Sequence, residues 1–245
     1  RESIAGINHM GWLLELEDAD GNDLYPEIRE RAIAILESGK TDHHDLVRYE
    51  YIRRLGYYCT ESSEHNAEYN DFFIKSKYPE LIERYNIPLD EYPRRCKNQI
   101  ENWKKDREKY MHDDVTHTRT TEYASYIMEA IVTDIPYKIG GNVINNGLIP
   151  NLPAEACVEV ACLVNKNGIQ PCVQKPLPLQ LAAMNSAMIG VQLLTIDAAV
   201  TQKKETIYQA AMLDPHTSSE LSIDEIIRLC DDLIEAHGSY LPKYH

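Results

Sequence analysis

The chain has no excess of positive charge. Among its 245 residues, 25 lysines and arginines stand against 39 aspartates and glutamates, for a net charge of −14. The basic residues are scattered. With no stripe to displace counterions from a phosphate backbone, nucleic acid is excluded as a partner. No apolar run is expected to approach the ~20 residues that cross a bilayer, which argues against a membrane partner. The opening Arg1-Glu2-Ser3-Ile4 lacks the charged-then-apolar pattern of a signal peptide. Six cysteines (Cys59, Cys96, Cys157, Cys162, Cys172 and Cys230) include no CxxC pair, so a zinc knuckle is set aside. In a chain this long they read as reduced, mostly buried thiols of a cytoplasmic protein. There is no internal repeat, no low-complexity segment, no splitting linker and no Gly-rich phosphate loop after a strand. The chain also lacks an initiating Met and runs at once into a strand-like segment, the pattern of a piece of something longer.

The pattern that is present predicts one α+β unit, with helices packed on a smaller, mostly antiparallel sheet. Residues 3–16 read as a strand, and Asp18 to Asp23 as a turn. Helices are expected over 26–38, 45–55, 79–85, 97–110 and 121–133, and an extended, proline-bracketed loop over 86–95. From Ile139 the texture turns to strands. Asn145-Asn146-Gly147 reads as a hairpin tip, and Cys157 to Val164 as a buried strand whose one acid, Glu159, is expected on the exposed face. Helices follow over 179–201, 205–213 and 222–237, the last opening on a Ser222–Glu225 capping box. The Ala- and Met-rich stretches of these helices (Ala182-Ala183-Met184, Ala187-Met188, Ala210-Ala211-Met212) suit either subunit contacts or close core packing.

Three stretches carry candidate chemistry. In Ala5-Gly6-Ile7-Asn8-His9-Met10, apolar residues flank an Asn-His pair. That places the pair at a buried strand end, where the imidazole needs a backbone carbonyl, a ligand hydroxyl or a metal as partner. The polar run Thr60 to Glu68 is either a solvated turn or a site, with Glu64 and His65 adjacent and able to tune each other. Arg94 and Arg95 form either a fork for hydroxyls or an anion, or surface charge at a helix start.

Taken together, AGINHM (5–10), VRYEYIRRLGYY (47–58), TESSEHNAEY (60–69), IPLDEYPRRC (87–96), GNVINNGLIPNLPAEACVEV (141–160), LPLQLAAMN (177–185) and AAMLDPHTSSELSIDEI (210–226) resemble the NAD-dependent family 4 glycoside hydrolases, nearest the α-galactosidase (melibiase) branch. That family departs from the two-carboxylate glycosidases. The resemblance implies redox-assisted elimination: hydride transfer from sugar C3 to NAD, proton removal at C2 and loss of the C1 leaving group, with Mn²⁺ on the sugar oxygens. It implies a fold similar to the C-terminal domain of lactate and malate dehydrogenases. Residues 1–245 would then form the substrate and oligomerisation domain, the NAD-binding Rossmann domain lying outside this chain. By match of position, His9 is the metal ligand, Asn8 faces sugar hydroxyls, and Arg94 and Arg95 hold substrate. The C2 base falls in the TESSEH loop, where Glu64 and His65 are the nearest titratable groups. No residue here is assigned to NAD; NAD and Mn²⁺ are both expected to need the absent domain, where the family's cysteine ligand lies. The implied partners are an α-galactoside and further copies of the chain, as a dimer or tetramer. The alternatives are a 6-phospho-glycosidase or α-galacturonidase of the same family, or a non-catalytic sugar-binding and oligomerisation module.

Overall fold

A computed structural model describes residues 1–113 and 118–245. Among them, β1 (Glu2–Ile7), β2 (Met10–Leu16), β3 (Tyr58–Cys59), β4 (Tyr137–Ile144), β5 (Cys157–Asn165) and β6 (Gly168–Pro171) form one sheet. Its order is β3-β2-β1-β5-β4, and every pairing is antiparallel. β4 runs along one edge of β5, while β1 and β6 share the other. Helices α1 (Tyr25–Glu37), α2 (Leu46–Leu55), α3 (Ser63–Glu68), α4 (Glu80–Arg84), α5 (Glu91–His112) and α6 (Ala124–Thr133) lie between β2 and β4 in sequence. After β6 come α7 (Leu179–Thr201), α8 (Lys204–Leu213), α9 (Pro215–Glu220) and α10 (Ile223–His237). The α+β, antiparallel expectation therefore holds.

Alternation along β5 sets the inner face. Val158, Val160, Cys162 and Val164 are buried, and Cys157 and Leu163 are exposed. Each of the three fully buried valines contributes roughly 1.5–3 kcal/mol, and with Cys162 they join Ala5, Ile7, Met10, Trp12, Tyr51, Ile149 and Leu181 in one core. α7 is tied to that core by a buried amide. The Trp12 indole Nε1–H donates to Asn185 Oδ1 at 2.7 Å, and Asn185 Nδ2 donates to the Met10 carbonyl at 2.9 Å. Of the Ala- and Met-rich stretches, Ala182, Met188 and Ala210 are buried in the core, whereas Ala183 and Ala187 are exposed.

Several boundaries differ from expectation. Residues 3–16 are two strands, because Ile7 pairs with Met10 and the chain reverses at Asn8-His9. Asn8 is exposed, so only part of the pair lies inward. β4 ends at Ile144, but β5 begins only at Cys157; the connection, opening on Asn145, is a broad loop rather than a tight hairpin. α5 begins at Glu91 and takes in Arg94 and Arg95, which were expected in an extended loop. α7 corrects the reading of apolar runs: its 23 residues, with a mean hydropathy of 1.4 over an 18-residue window, are long and apolar enough to cross a membrane by length and composition. Asn185, Gln192 and Asp197 interrupt the run in sequence and hide this.

Candidate metal and sugar site

The site forms where the β1–β2 turn meets α3. His9 occupies the turn with φ of 62°, the left-handed region that β-carbons disfavour by roughly 1–2 kcal/mol. A strained histidine here requires the surrounding structure to hold it. Gly6 makes the tight approach possible, since a β-carbon on it would lie 2.3 Å from the Met10 carbonyl oxygen. From the neighbouring β3, the Cys59 thiol donates to the His9 carbonyl at 3.8 Å. Burial pushes that thiol up to about 12, so it remains protonated.

The TESSEH segment is neither a loose turn nor one continuous loop. Ser62 caps α3, its Oγ accepting the His65 N–H at 3.3 Å. The wholly buried Asn66 locks the entry by donating to the Glu61 and Ser62 carbonyls at 3.2 and 2.9 Å. Glu61, just before the helix, accepts the Ser62 N–H at Oε1, 2.9 Å away. Its Oε2 lies 2.8 Å from His9 Nδ1. Burial opposes ionisation of Glu61, but the Ser62 N–H and the two nearby imidazoles together hold its carboxyl below the usual range.

His65 completes the cluster. Its ring meets that of His9 edge-on, with centroids 4.8 Å apart, and stacks on Tyr69 at 6.3 Å. His65 Nδ1 bonds Glu68 Oε2 at 3.0 Å, leaving Nε2 as its other reactive atom. One ligand atom from each of His9, Glu61 and His65 lies within 4.8 Å of the others. His9 Nδ1 is buried and, although close to Glu61, has no hydrogen bond of acceptable geometry. A nitrogen and a carboxylate that approach without the alignment of a donor and acceptor are arranged like two ligands of one cation. Imidazole with carboxylate is a donor set suited to Mn²⁺, so these residues fit such an ion.

Glu159 lies on the same side of the sheet, beside Gly6 in register. It is half-buried rather than exposed as expected, and a β-carbon on Gly11 would sit 3.5 Å from its carboxyl. Burial raises its pKa; His9 opposes that rise and Glu61 adds to it. The remaining expected site residues separate. Glu64 faces Arg95 at 3.5 Å, and Arg95 also bonds Glu91 at 3.1 Å. Glu64, His65, Glu68 and Arg95 line a cleft of about 320 Å³ next to the cluster. Arg94 turns back to Glu91 on its own helix, and Asn8 stands exposed at the turn. Glu61, Glu68 and Tyr69 escaped the sequence reading. A signal was available for Glu68, spaced i+3 from His65 on a helix; nothing in sequence spacing pairs Glu61 with His9.

The Family 4 glycosyl hydrolase C-terminal domain profile matches residues 4–217. The chain belongs to glycosyl hydrolase family 4. It is 59% identical over 244 residues to the α-galactosidase of Bacillus subtilis (strain 168), a match covering 99% of this chain and 56% of that protein. The chain thus spans little more than half the length of that relative. Among solved structures, the putative glucosidase lplD of Bacillus subtilis superposes with a TM-score of 0.83 at 22% identity, over 95% of this chain and 55% of that one. A 6-phospho-α-glucosidase from gut microorganisms, in complex with NAD and Mn²⁺, superposes with a TM-score of 0.73 at 18% identity, over 100% and 57%. These two likenesses establish a shared fold.

Proposed function

We propose that the protein hydrolyses α-galactosides by redox-assisted elimination, and that residues 1–245 are its metal- and sugar-facing part. The observation that carries the reading is His9 Nδ1 held 2.8 Å from Glu61 Oε2 with His65 beside them, in a chain 59% identical to an α-galactosidase. The 18% identity to a 6-phospho-α-glucosidase gives the phosphorylated sugars less support. A ring nitrogen cannot hold an ion and take up a proton at once. We therefore assign the ion to His9 and Glu61 and the C2 proton to His65 Nε2. Glu68 fixes the tautomer of His65 and stabilises its charged form. Mn²⁺, when bound, supplies Lewis-acid polarisation of a sugar oxygen. Tyr69, its phenol pushed up by burial, keeps its proton and supplies a stacking face. Arg95, which lines the cleft where Arg94 does not, takes the sugar-binding role. Glu64, paired with Arg95, positions that arginine.

The described glycines sit within strands, in turns or helix ends, or, as Gly190, inside α7, without a Gly-x-Gly-x-x-Gly run between strand and helix. They do not fit NAD, and we assign the dinucleotide to a separate domain of the whole protein. A cytoplasmic location is supported by six free thiols.

The test uses the full-length protein with an α-galactoside, NAD⁺, Mn²⁺ and a thiol in D₂O. Deuterium at C2 of the released galactose is expected. Hydrolysis without label would overturn the elimination, and stronger inhibition by glucose-6-phosphate than by galactose would move the substrate to the phosphorylated sugars.

A further inference from the structure

Glu159 is half-buried in the middle of the sheet and takes no part in the chemistry assigned to His9, Glu61 and His65. Other acids that burial works against are compensated. Glu50 is paired with Arg53 and Arg54, and Glu61 accepts the Ser62 N–H. Glu159 has no ion pair and no hydrogen-bond donor among the described residues; only burial and the more distant charges of His9 and Glu61 act on it. Taking a carboxylate partly out of water without a donor is costly, and the hydroxyls of a ligand are one way to offset that.

The backbone beneath Glu159 leaves it room to lie flat. Gly6 pairs with Gly11 on one side and with Glu159 on the other, so β2, β1 and β5 carry two glycines and one acid in a cross-strand row. With no β-carbon in the way, the Glu159 side chain reaches across β1. Its Oε2 lies 3.5 Å from where a β-carbon on Gly11 would stand, and its Oε1 lies 3.6 Å from the same point on Gly140. From the opposite side, Thr60 Oγ1 lies 2.9 Å from that point on Gly11. The Thr60 N–H donates to the Gly11 carbonyl at 2.8 Å, which fixes the hydroxyl in place. A hydroxyl and a carboxylate thus converge over Gly11, two residues beyond His9. Glu159 and Gly140 also line a cavity of about 470 Å³, which opens the carboxylate to a ligand.

Charge and position narrow what this seat accepts. Glu159 stands outside the trio whose ligand atoms converge, so it is not placed to share their ion. The charge of Glu61 adds to its own and disfavours an anion. Neutral hydroxyls remain, and one carboxylate can accept two of them from neighbouring ring carbons. We propose that Glu159, with Thr60 beside it, is a substrate-binding residue that accepts hydroxyl hydrogen bonds from the galactosyl ring held at His9 and Glu61. The inference rests on the α-galactoside reading and adds a second grip on the sugar, across the cluster from Arg95.

Calorimetric titration of galactose into the full-length protein, with NAD⁺ and Mn²⁺ present, tests this. Glu159→Gln keeps the shape, removes the charge and should weaken galactose about tenfold. Its affinity for Mn²⁺, titrated alone, should stay within about twofold, and its Tm should not fall, because a buried charge has been removed. Among deoxygalactoses lacking one hydroxyl each, at least one should bind about tenfold more weakly than galactose to the starting protein but less than threefold more weakly to the variant. Galactose bound equally by the variant would overturn the proposal and leave the α-galactoside reading standing. A starting protein that does not bind galactose would overturn that reading, and the proposal with it. A tenfold loss of Mn²⁺ affinity would make Glu159 a ligand of the ion instead, and a lower Tm would make its role structural. Losses on every deoxygalactose that persist in the variant would exclude a direct hydroxyl contact.

Discussion

Asn145 and His9 are two polar side chains at strand ends, and their surroundings treat them oppositely. Asn145, wholly buried after β4, donates to the carbonyls of Ile149, Leu152 and Pro153 at 3.0 Å each and accepts the Ile149 N–H at 2.7 Å. Every polar atom is satisfied, and the β4–β5 loop is folded around it. His9, after β1, has a buried Nδ1 with no aligned partner, in a backbone conformation histidine disfavours. A satisfied buried amide is architecture; a half-exposed imidazole whose buried Nδ1 faces a carboxylate without alignment is placed to take a ligand. Asn66, whose buried Oδ1 is also unpaired yet which only locks the entry to α3, shows that an orphaned atom is not enough; at His9 the nitrogen also faces Glu61 and His65.

The strongest way to break this comparison is His9→Ala in the full-length protein. It should lower kcat/KM by at least ~10³, about 4 kcal/mol in transition-state binding, and abolish the rise in Tm produced by Mn²⁺. In chelator, its stability should change by less than ~1 kcal/mol, because alanine keeps the same β-carbon at this positive φ and the lost Nδ1 makes no aligned hydrogen bond. Asn145→Ala should do the reverse. Four backbone groups lose one partner, and denaturant unfolding should show about 3 kcal/mol lost. If the two variants lost similar stability in chelator, the distinction would fail.

A smaller effect sharpens the comparison with two acids. Burial opposes ionisation of Glu50, but its bonds to Arg53 and Arg54 outweigh it and hold the carboxyl below its ordinary 4.5. Its contribution is present above that ordinary value and lost as pH falls through the depressed one. Glu50→Gln should thus cost about 1–2 kcal/mol at neutral pH and little in acid. Glu159 is raised by burial, so its ionised form penalises the fold above its native pKa and the penalty fades on acidification. Glu159→Gln should stabilise at neutral pH, by less than ~1 kcal/mol. Urea unfolding curves at neutral and acid pH read both signs, and a shared sign would refute the contrast.

The elements with local signals were legible in advance. β5 was visible in its valine alternation, α7 and α10 in their length and in the Ser222 cap, and His9 in its apolar flanks together with the family resemblance. What stayed hidden depends on contacts distant in sequence. His9 and Glu61 are 52 positions apart, and the β1–β2 reversal and β3 bring them together. The reversal itself was missed because the turn uses Asn8-His9, not the glycine that such turns usually carry. Glu64 and Glu61 look equivalent in a polar run; the Ser62 cap starts α3 and sends one toward Arg95 and the other toward His9.

The sequence by itself determined the fold class, the family and the candidacy of His9 and His65, because periodicity, caps and motif order are properties of neighbouring residues. Only the tertiary structure decided which carboxylate meets the imidazole, which arginine faces the cleft and which acid lies flat over glycine. Those depend on where the chain returns to itself, and burial and hydrogen-bond satisfaction exist only after it has done so.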